Sequence, residues 1–142
     1  MATISASIVT YNSADVVGDA LSSLLTQTKG FPLTVYAVDN HSTDNTLSMI
    51  AEKFPEVIRL PQADNLGFGH GHNQVIPLLT SDYHAIINPD ISFDFDVLSK
   101  LVNYLEAHPD VVMATPAICN LTEPSSACQS AFRPITIWLP VC

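Results

Sequence analysis

The chain has 142 residues, 47% of them apolar and 13% charged, a balance that suits one folded domain with a single core and excludes intrinsic disorder. Its formal charge is −9, from five Lys/Arg against fourteen Asp/Glu, the reverse of what a phosphate-tracking nucleic-acid binder carries. No apolar run approaches the ~18–20 residues that cross a bilayer. The opening MATISASIVTYN has no basic start and no cleavable hydrophobic stretch, so a cytoplasmic location is expected. Cys119, Cys128 and Cys142 are odd in number and loosely spaced, which fits free thiols better than a disulfide framework or a zinc site.

In chain order, Ile4 to Thr10 reads as a strand stopped by Tyr11-Asn12-Ser13. Val16, Val17, Ala20, Leu21, Leu24 and Leu25 then recur at helical steps and give one wide apolar face, with Ser13 placed as its N-cap and Asp15 in its first turn. Leu33 to Val38 is the second strand. Leu47, Ile50, Ala51 and Phe54 mark a second helix, expected to be capped by Ser42 or Thr43 and ended before Pro55. A short third strand, Val57 to Leu60, is followed by a glycine-rich stretch, Asn65 to Asn73, and a helix expected around Val75 to Leu79 despite Pro77. Tyr83 to Ile87 is the fourth strand. Val97, Leu98, Leu101, Val102 and Leu105 make a further helix, for which Asp94 is the expected cap and Asp96 a first-turn acid, and Val111 to Thr115 is the fifth strand.

Apolar strands alternating with amphipathic helices predict an α/β fold with a mainly parallel sheet and helices on both faces. The periodic part, 1–116, reads as one α/β domain. Residues 117–142 show no period and are expected to be irregular.

Polar clusters follow the strands: Tyr11-Asn12, Asp39 to Asp44, Asp64-Asn65-Leu66-Gly67 and Asn88-Pro89-Asp90. Taken singly, each is an ordinary solvated turn. Together they lie on one predicted sheet edge, the edge at which open α/β sheets bind ligands. Asp39 can accept a hydrogen bond from a base or sugar, Tyr11 offers a flat face for stacking, and Asn12 can donate or accept. Gly67, Gly69 and Gly71 permit close backbone approach. GFGHG is neither a Walker loop nor a dinucleotide fingerprint. His41, His70 and His72 complete no tetrahedral zinc set. Lys29, Lys53, Arg59, Lys100 and Arg133 are scattered, so anionic charge on a ligand would need backbone N–H groups, helix ends or a bound cation. Asp90 is placed to hold such a cation, because Mg²⁺ favours one or two carboxylates together with phosphate oxygens.

IVTYN at 8–12, VDNHSTDNT at 38–46, NLGFGHGHN at 65–73 and INPDI at 87–91 resemble the N-terminal half of a family 2 glycosyltransferase, in order and in separation. Rhamnosyltransferase-like members that build cell-surface polysaccharides are the most similar. The resemblance covers about residues 3–134. It implies a GT-A fold that binds a nucleoside-diphosphate sugar donor and transfers the sugar with inversion to a saccharide or lipid-linked acceptor. Tyr11, Asn12, Asp39, Ser42, Asn65, Gly67, Asn73 and Asn88 would contact the donor, and Asp90 would hold Mg²⁺ or Mn²⁺. Pro116, Gln129, Arg133 and Pro134 resemble the stretch leading towards the acceptor half, and the protein would be cytoplasmic or peripheral at the inner face of the membrane.

The departure from the family lies in the catalytic base, a carboxylate in a later Glu-Asp segment. Asp94, Asp96, Glu106, Asp110 and Glu123 have no such context. The resemblance therefore implies a donor-binding half, truncated or a cloned fragment, with little transferase activity alone. A non-catalytic nucleotide-binding or scaffold module is the other reading it leaves. A nucleotidyltransferase would need basic residues near the first strand, where there are none. Apolar surface at Ile135, Ile137, Trp138 and Leu139 would favour a homo-oligomer.

Overall fold

A computed structural model describes residues 1–116 together with the backbone of Thr136–Trp138. The cysteines, Gln129, Arg133, Pro134 and the apolar side chains at 135–139 lie outside the described residues. The elements run β1 (Ile4–Thr10), α1 (Val17–Gln27), β2 (Leu33–Asp39), α2 (Thr46–Lys53), β3 (Ile58–Pro61), α3 (Phe68–Asn73), a 3₁₀ turn at Ile76–Leu78, β4 (Tyr83–Ile87), α4 (Val97–Ala107), β5 (Met113–Ala114) and β6 (Thr136–Trp138).

They form one six-stranded sheet in the order β3-β2-β1-β4-β6-β5. β1 pairs in parallel with β2 on one side, Ile4 to Thr10 against Leu33 to Asp39, and with β4 on the other, Ile4 to Ile8 against Tyr83 to Ile87. The chain thus winds outward from β1 to β3, then returns across β1 to add β4. That reversal opens a crevice beyond the carboxyl ends of β1 and β4.

The two faces of the sheet differ. Ile4, Ala6 and Ile8 alternate onto one face and pack beneath α1, α2 and α4, whose fully buried Leu21, Leu24, Ile50 and Leu98 form the main core. Each such side chain contributes roughly 1.5–3 kcal/mol when removed from water. On the other face Val9, Tyr36 and Val38 meet Val75 in a smaller cluster, while Ser5, Ser7 and His84 form a buried polar row.

Several boundaries differ from the expectations, each for a tertiary reason. The helix expected around 75–79 lies earlier, at Phe68–Asn73, and only a 3₁₀ turn with Pro77 follows. Glycine propensity argues against that placement. Gly71, however, sits so close to Val9 that a Cβ there would be 2.8 Å from both methyl carbons. The cap of α4 is Asp96, whose Oδ1 accepts from Ser99 N–H at 3.1 Å, and Asp94 is exposed. Asp96 Oδ2 also accepts from Lys29 N–H, joining α4 to the loop before β2. Neither Ser42 nor Thr43 caps α2; Asp44 Oδ1 accepts from Thr46 N–H at 3.0 Å instead. The Ser13 hydroxyl bonds the Tyr11 backbone rather than α1. The fifth strand shortens to Met113–Ala114 and pairs antiparallel with β6, which lies between it and β4. A three-residue strand is too short to announce itself by periodicity.

Burial lowers the pKa of His84 from 6.5 to about 4 and, with the neighbouring His84 adding to it, that of His72 also to about 4. Both rings are therefore neutral in the fold but protonate in the unfolded chain below about 6.5. The stability they permit is complete above that pH and is lost as pH falls towards 4. Unfolding free energy should drop between pH 6.5 and 5 by up to ~1.4 kcal/mol per pH unit for each ring. Thermal melts across that range test this, and a Tm that stays flat would contradict it.

Candidate functional site: a cleft at the end of β1 and β4

Thr10, the last residue of β1, donates from Oγ1 to Asp39 Oδ1 at 2.9 Å, so the ends of the first two strands are tied by side chains as well as by the ladder. Asp39 is buried and also accepts from Ser42 N–H at 3.0 Å and from the Ser42 hydroxyl. Asn12 stands in the left-handed region with φ of 49°, as does His41 with φ of 64°. Asparagine tolerates that conformation better than most residues. It lets Asn12 Oδ1 accept from Thr43 N–H at 2.8 Å and from Asp44 N–H at 3.3 Å, while its own N–H donates to Ser42 Oγ at 2.9 Å. Ser13 N–H donates to Thr46 Oγ1 at 2.9 Å and Ala14 N–H to Asp44 Oδ2 at 3.3 Å. Hydrogen bonds from Thr46, above all its hydroxyl, hold the Asp44 carboxyl below its ordinary pKa. The loops after β1 and β2 are thus interlocked rather than merely adjacent.

The glycine segment closes the third side. Asn65 Oδ1 accepts from Gly67 N–H at 3.0 Å, and Gly67 O accepts from Asn40 Nδ2 at 3.0 Å. Gly67 itself has φ of 89° and ψ of 171°, a region open in practice only to glycine. On the fourth side β4 ends in Asn88, buried, and then Pro89 and the exposed Asp90.

These segments enclose an open cleft of ≈ 580 Å³, within the range of small-ligand sites. Of the residues expected from sequence, Tyr11, Asn65, Gly67, Asn88 and Asp90 line it. Asn12, Asp39 and Ser42 do not; their polar atoms are engaged in the interlock behind Tyr11. Asn73 lies at the far end of α3, away from the wall. Sequence reasoning missed Asn40 and Phe68 as wall residues. Asn40 was signalled only by its place beside Asp39, and Phe68 only by standing within a glycine run. Tyr11 and Phe68 are half-exposed and supply flat apolar surfaces. Asp90 is the one carboxylate among the described wall residues, and no Lys or Arg is among them.

The model of the family described as "Glycosyl transferase family 2" matches residues 5–135. The chain belongs to that family. Its sheet, with helices on both faces, is of the GT-A-like nucleotide-sugar-binding kind.

An uncharacterized protein of Mycobacterium tuberculosis is 27% identical over 133 residues, which is 90% of this chain and 38% of the relative. An N-acetylglucosaminyl-diphospho-decaprenol L-rhamnosyltransferase of the same species is 28% identical over 121 residues, covering 78% of this chain and 39% of that enzyme. Among solved structures, the mannosyltransferase PcManGT of Pyrobaculum calidifontis, in complex with GDP-Man and Mn²⁺, superposes with a TM-score of 0.70 at 26% identity over 79% of this chain and 34% of that one. S. aureus TarS residues 1–349 with UDP-GlcNAc gives a TM-score of 0.75 over 96% of this chain and 45% of that one; at 19% identity it speaks for the fold alone. The chain spans less than half the length of each of these relatives. None of its helices is long and apolar enough to cross a membrane among the described residues.

Gly67→Ala would meet no atom within 4 Å, so its cost is backbone conformation alone. Denaturant titration should show a loss of about 1–3 kcal/mol, together with a weakened cleft. An unchanged stability would mean that the loop relaxes to another conformation.

Proposed function

We propose that this chain supplies the donor-binding site of a glycosyltransferase that takes its sugar, rhamnose or a related one, from a nucleoside diphosphate during synthesis of a cell-surface polysaccharide. The observation that carries this reading is the pairing of Asn88 and Asp90 with Tyr11 across the cleft at the β1–β4 reversal. A base would stack on Tyr11, and Phe68 would flank the opening. Asn40, Asn65 and Asn88 present amide groups for sugar hydroxyls and phosphate oxygens. Asp39, Ser42 and Asn12 act behind this surface by fixing Tyr11, and Asn73 would complete the glycine segment around the donor.

The charge pattern asks for a cation. The described wall offers a diphosphate no basic side chain, and Asp90 would repel it. The described residues contain no cluster of three or more His, Cys, Asp or Glu, so the fold does not supply a self-sufficient cage. One carboxylate beside a diphosphate is nevertheless a donor set that fits Mg²⁺ or Mn²⁺. Asp90 would hold the ion, which when bound would neutralise the leaving diphosphate. PcManGT, solved with GDP-Man and Mn²⁺, supports this assignment by similarity.

For transfer, the acceptor hydroxyl must lose a proton as it attacks the sugar's anomeric carbon and the diphosphate leaves. Asp90 cannot both hold the cation and take that proton. The base therefore comes from outside the described wall, and a saccharide or lipid-linked acceptor would approach the open side of the cleft. A lipid-linked acceptor would draw the protein to a membrane surface. The single wall carboxylate also favours a second reading, in which the chain binds the donor without transferring it.

Calorimetric titration with UDP and with GDP tests the donor site. Binding should require Mn²⁺ or Mg²⁺, and Asp90→Ala should weaken that metal-dependent binding. Tyr11→Ala should weaken affinity by about threefold to tenfold through the lost ring face. Binding of no nucleoside diphosphate, whatever its base, under any metal condition would refute the reading.

A further inference from the structure

Two buried side-chain atoms among the described residues lack a hydrogen-bond partner, Asn40 Oδ1 and His72 Nε2, and each belongs to a residue that fastens the glycine segment to the sheet. Buried polar atoms without partners are uncommon enough to call for an explanation. At the start of α3, Asn40 Nδ2 donates to Gly67 O; in its middle, Gly71 presses on Val9. Near its end, the buried His72 reaches the polar row of the sheet, where Ser7 Oγ lies 2.7 Å from His72 Nδ1 and 2.9 Å from His84 Nε2. The row continues from His84 Nδ1 to Ser5 Oγ at 2.7 Å and from there to Ser81 Oγ at 2.6 Å.

The donor and acceptor inventory selects one direction along this row. A neutral imidazole has one N–H and one lone pair, and a hydroxyl has one proton to give. Suppose that Ser81 donates to Tyr83 O at 3.0 Å, Ser5 to Ser81, His84 Nδ1–H to Ser5, Ser7 to His84 Nε2, and His72 Nδ1–H to Ser7. Every proton is then used, and the atom left over is a lone pair on His72 Nε2. The opposite direction leaves a buried N–H at that atom and also takes the Ser81 proton away from Tyr83 O, so it forfeits one hydrogen bond more. A proton added to His72 makes a second donor where the row has no acceptor, one added to His84 Nε2 turns on the Ser7 hydroxyl and displaces the proton Ser7 was donating, and either places a positive charge in a desolvated layer.

We propose that the row Ser81–Ser5–His84–Ser7–His72 is a one-directional hydrogen-bonded seat that holds α3 against the sheet only while both imidazoles are neutral, so that His72 and His84 are positioning residues for the donor cleft. The link to the donor rests on the function proposed above, because Asn65, Gly67 and Phe68 reach the cleft from the chain that this seat fixes. Polar and aromatic groups surround the row. β1 contributes Ser5 and Ser7, and β2 contributes Tyr36, whose hydroxyl donates to Leu78 O. From α3 come His70, occupied by Gln74, and the Phe68 ring, edge-on to His72 at 4.3 Å. Asp82, next to β4, is turned to Thr3. Burial opposes charge on both rings, and His84 opposes it further on His72.

Hydrogen exchange and nucleotide titration together test the seat. In the wild-type chain, protection factors over residues 68–74 should fall about tenfold per pH unit between 6.5 and 5 for each ring that protonates on opening, and they should do so by local opening at lower free energy than α1, whose protection follows global stability. Imidazole ¹⁵N shifts at pH 7.5 should report the Nδ1–H tautomer for His72 and His84. His72→Asn keeps an N–H near the position of Nδ1 but cannot take a proton. It should bind UDP or GDP with Mn²⁺ within about threefold of wild type at pH 7.5, and show a smaller loss at pH 5.5; His72→Ala should lose about fivefold to tenfold.

A pH-independent α3, an Nε2–H tautomer at His72, or a wild-type pH slope in His72→Asn would overturn the seat. Loosening of α3 without loss of nucleotide affinity would overturn the positioning role. Failure of the wild-type chain to bind either nucleotide at pH 7.5 would count against the function of the cleft, while exchange and tautomer would still decide the seat.

Discussion

β1 is hydrogen-bonded on both edges and buried along its whole length, and almost everything else in the molecule depends on that placement. A strand enclosed in this way can show its chemistry only at its ends. Because β2 and β4 flank it in parallel, the chain leaves the sheet after each of these strands at the same edge. Their exit loops must then meet, and the reversal between β2 and β4 keeps helices out of the gap between them. The cleft is a consequence of strand order before it is a consequence of any particular side chain.

Rigidity comes next. Loops at sheet edges are the least constrained parts of most folds. Here the loops after β1 and β2 are cross-tied by Asn12, Asp39, Ser42, Asp44 and Thr46, each satisfying a neighbour's backbone or hydroxyl group. Such a network fixes Tyr11 before any ligand arrives, which lowers the ordering cost of binding. The glycine segment is held differently, by two amide and imidazole contacts and by the close approach of Gly71 to Val9. One wall of the cleft is therefore interlocked and the other is seated on a polar row.

Several parts of the site were legible from residues alone. Asp90 and Asn88 stood at the end of an unmistakable apolar strand, and both line the cleft. The paired loops at 11–12 and 39–44 were visible as polar punctuation after strands. What the sequence could not distinguish was a wall residue from a residue behind the wall. Asp39 and Asn12 have the chemistry of ligand contacts, yet their polar atoms face each other's loops. The helix at Phe68–Asn73 was hidden for a related reason, since its two glycines argue against a helix and only the packing of Gly71 on Val9 requires one of them. The sequence assigned the histidines no site; in space His72 and His84 share Ser7.

By itself, the sequence determined the alternation of strands and helices, the acidic balance, the strand-end placement of the polar clusters and the membership of its motifs in a glycosyltransferase family. Those properties reside in local periodicity and composition, which neighbours in the chain are enough to specify. Only the tertiary structure decided that β4 returns beside β1, that β6 inserts between β4 and β5, and that Ser5, Ser7, His72 and His84 become one hydrogen-bonded row. Each of these depends on contacts between residues far apart in sequence, where pairing across the sheet, and not the propensity of any segment, sets which side chains share a space.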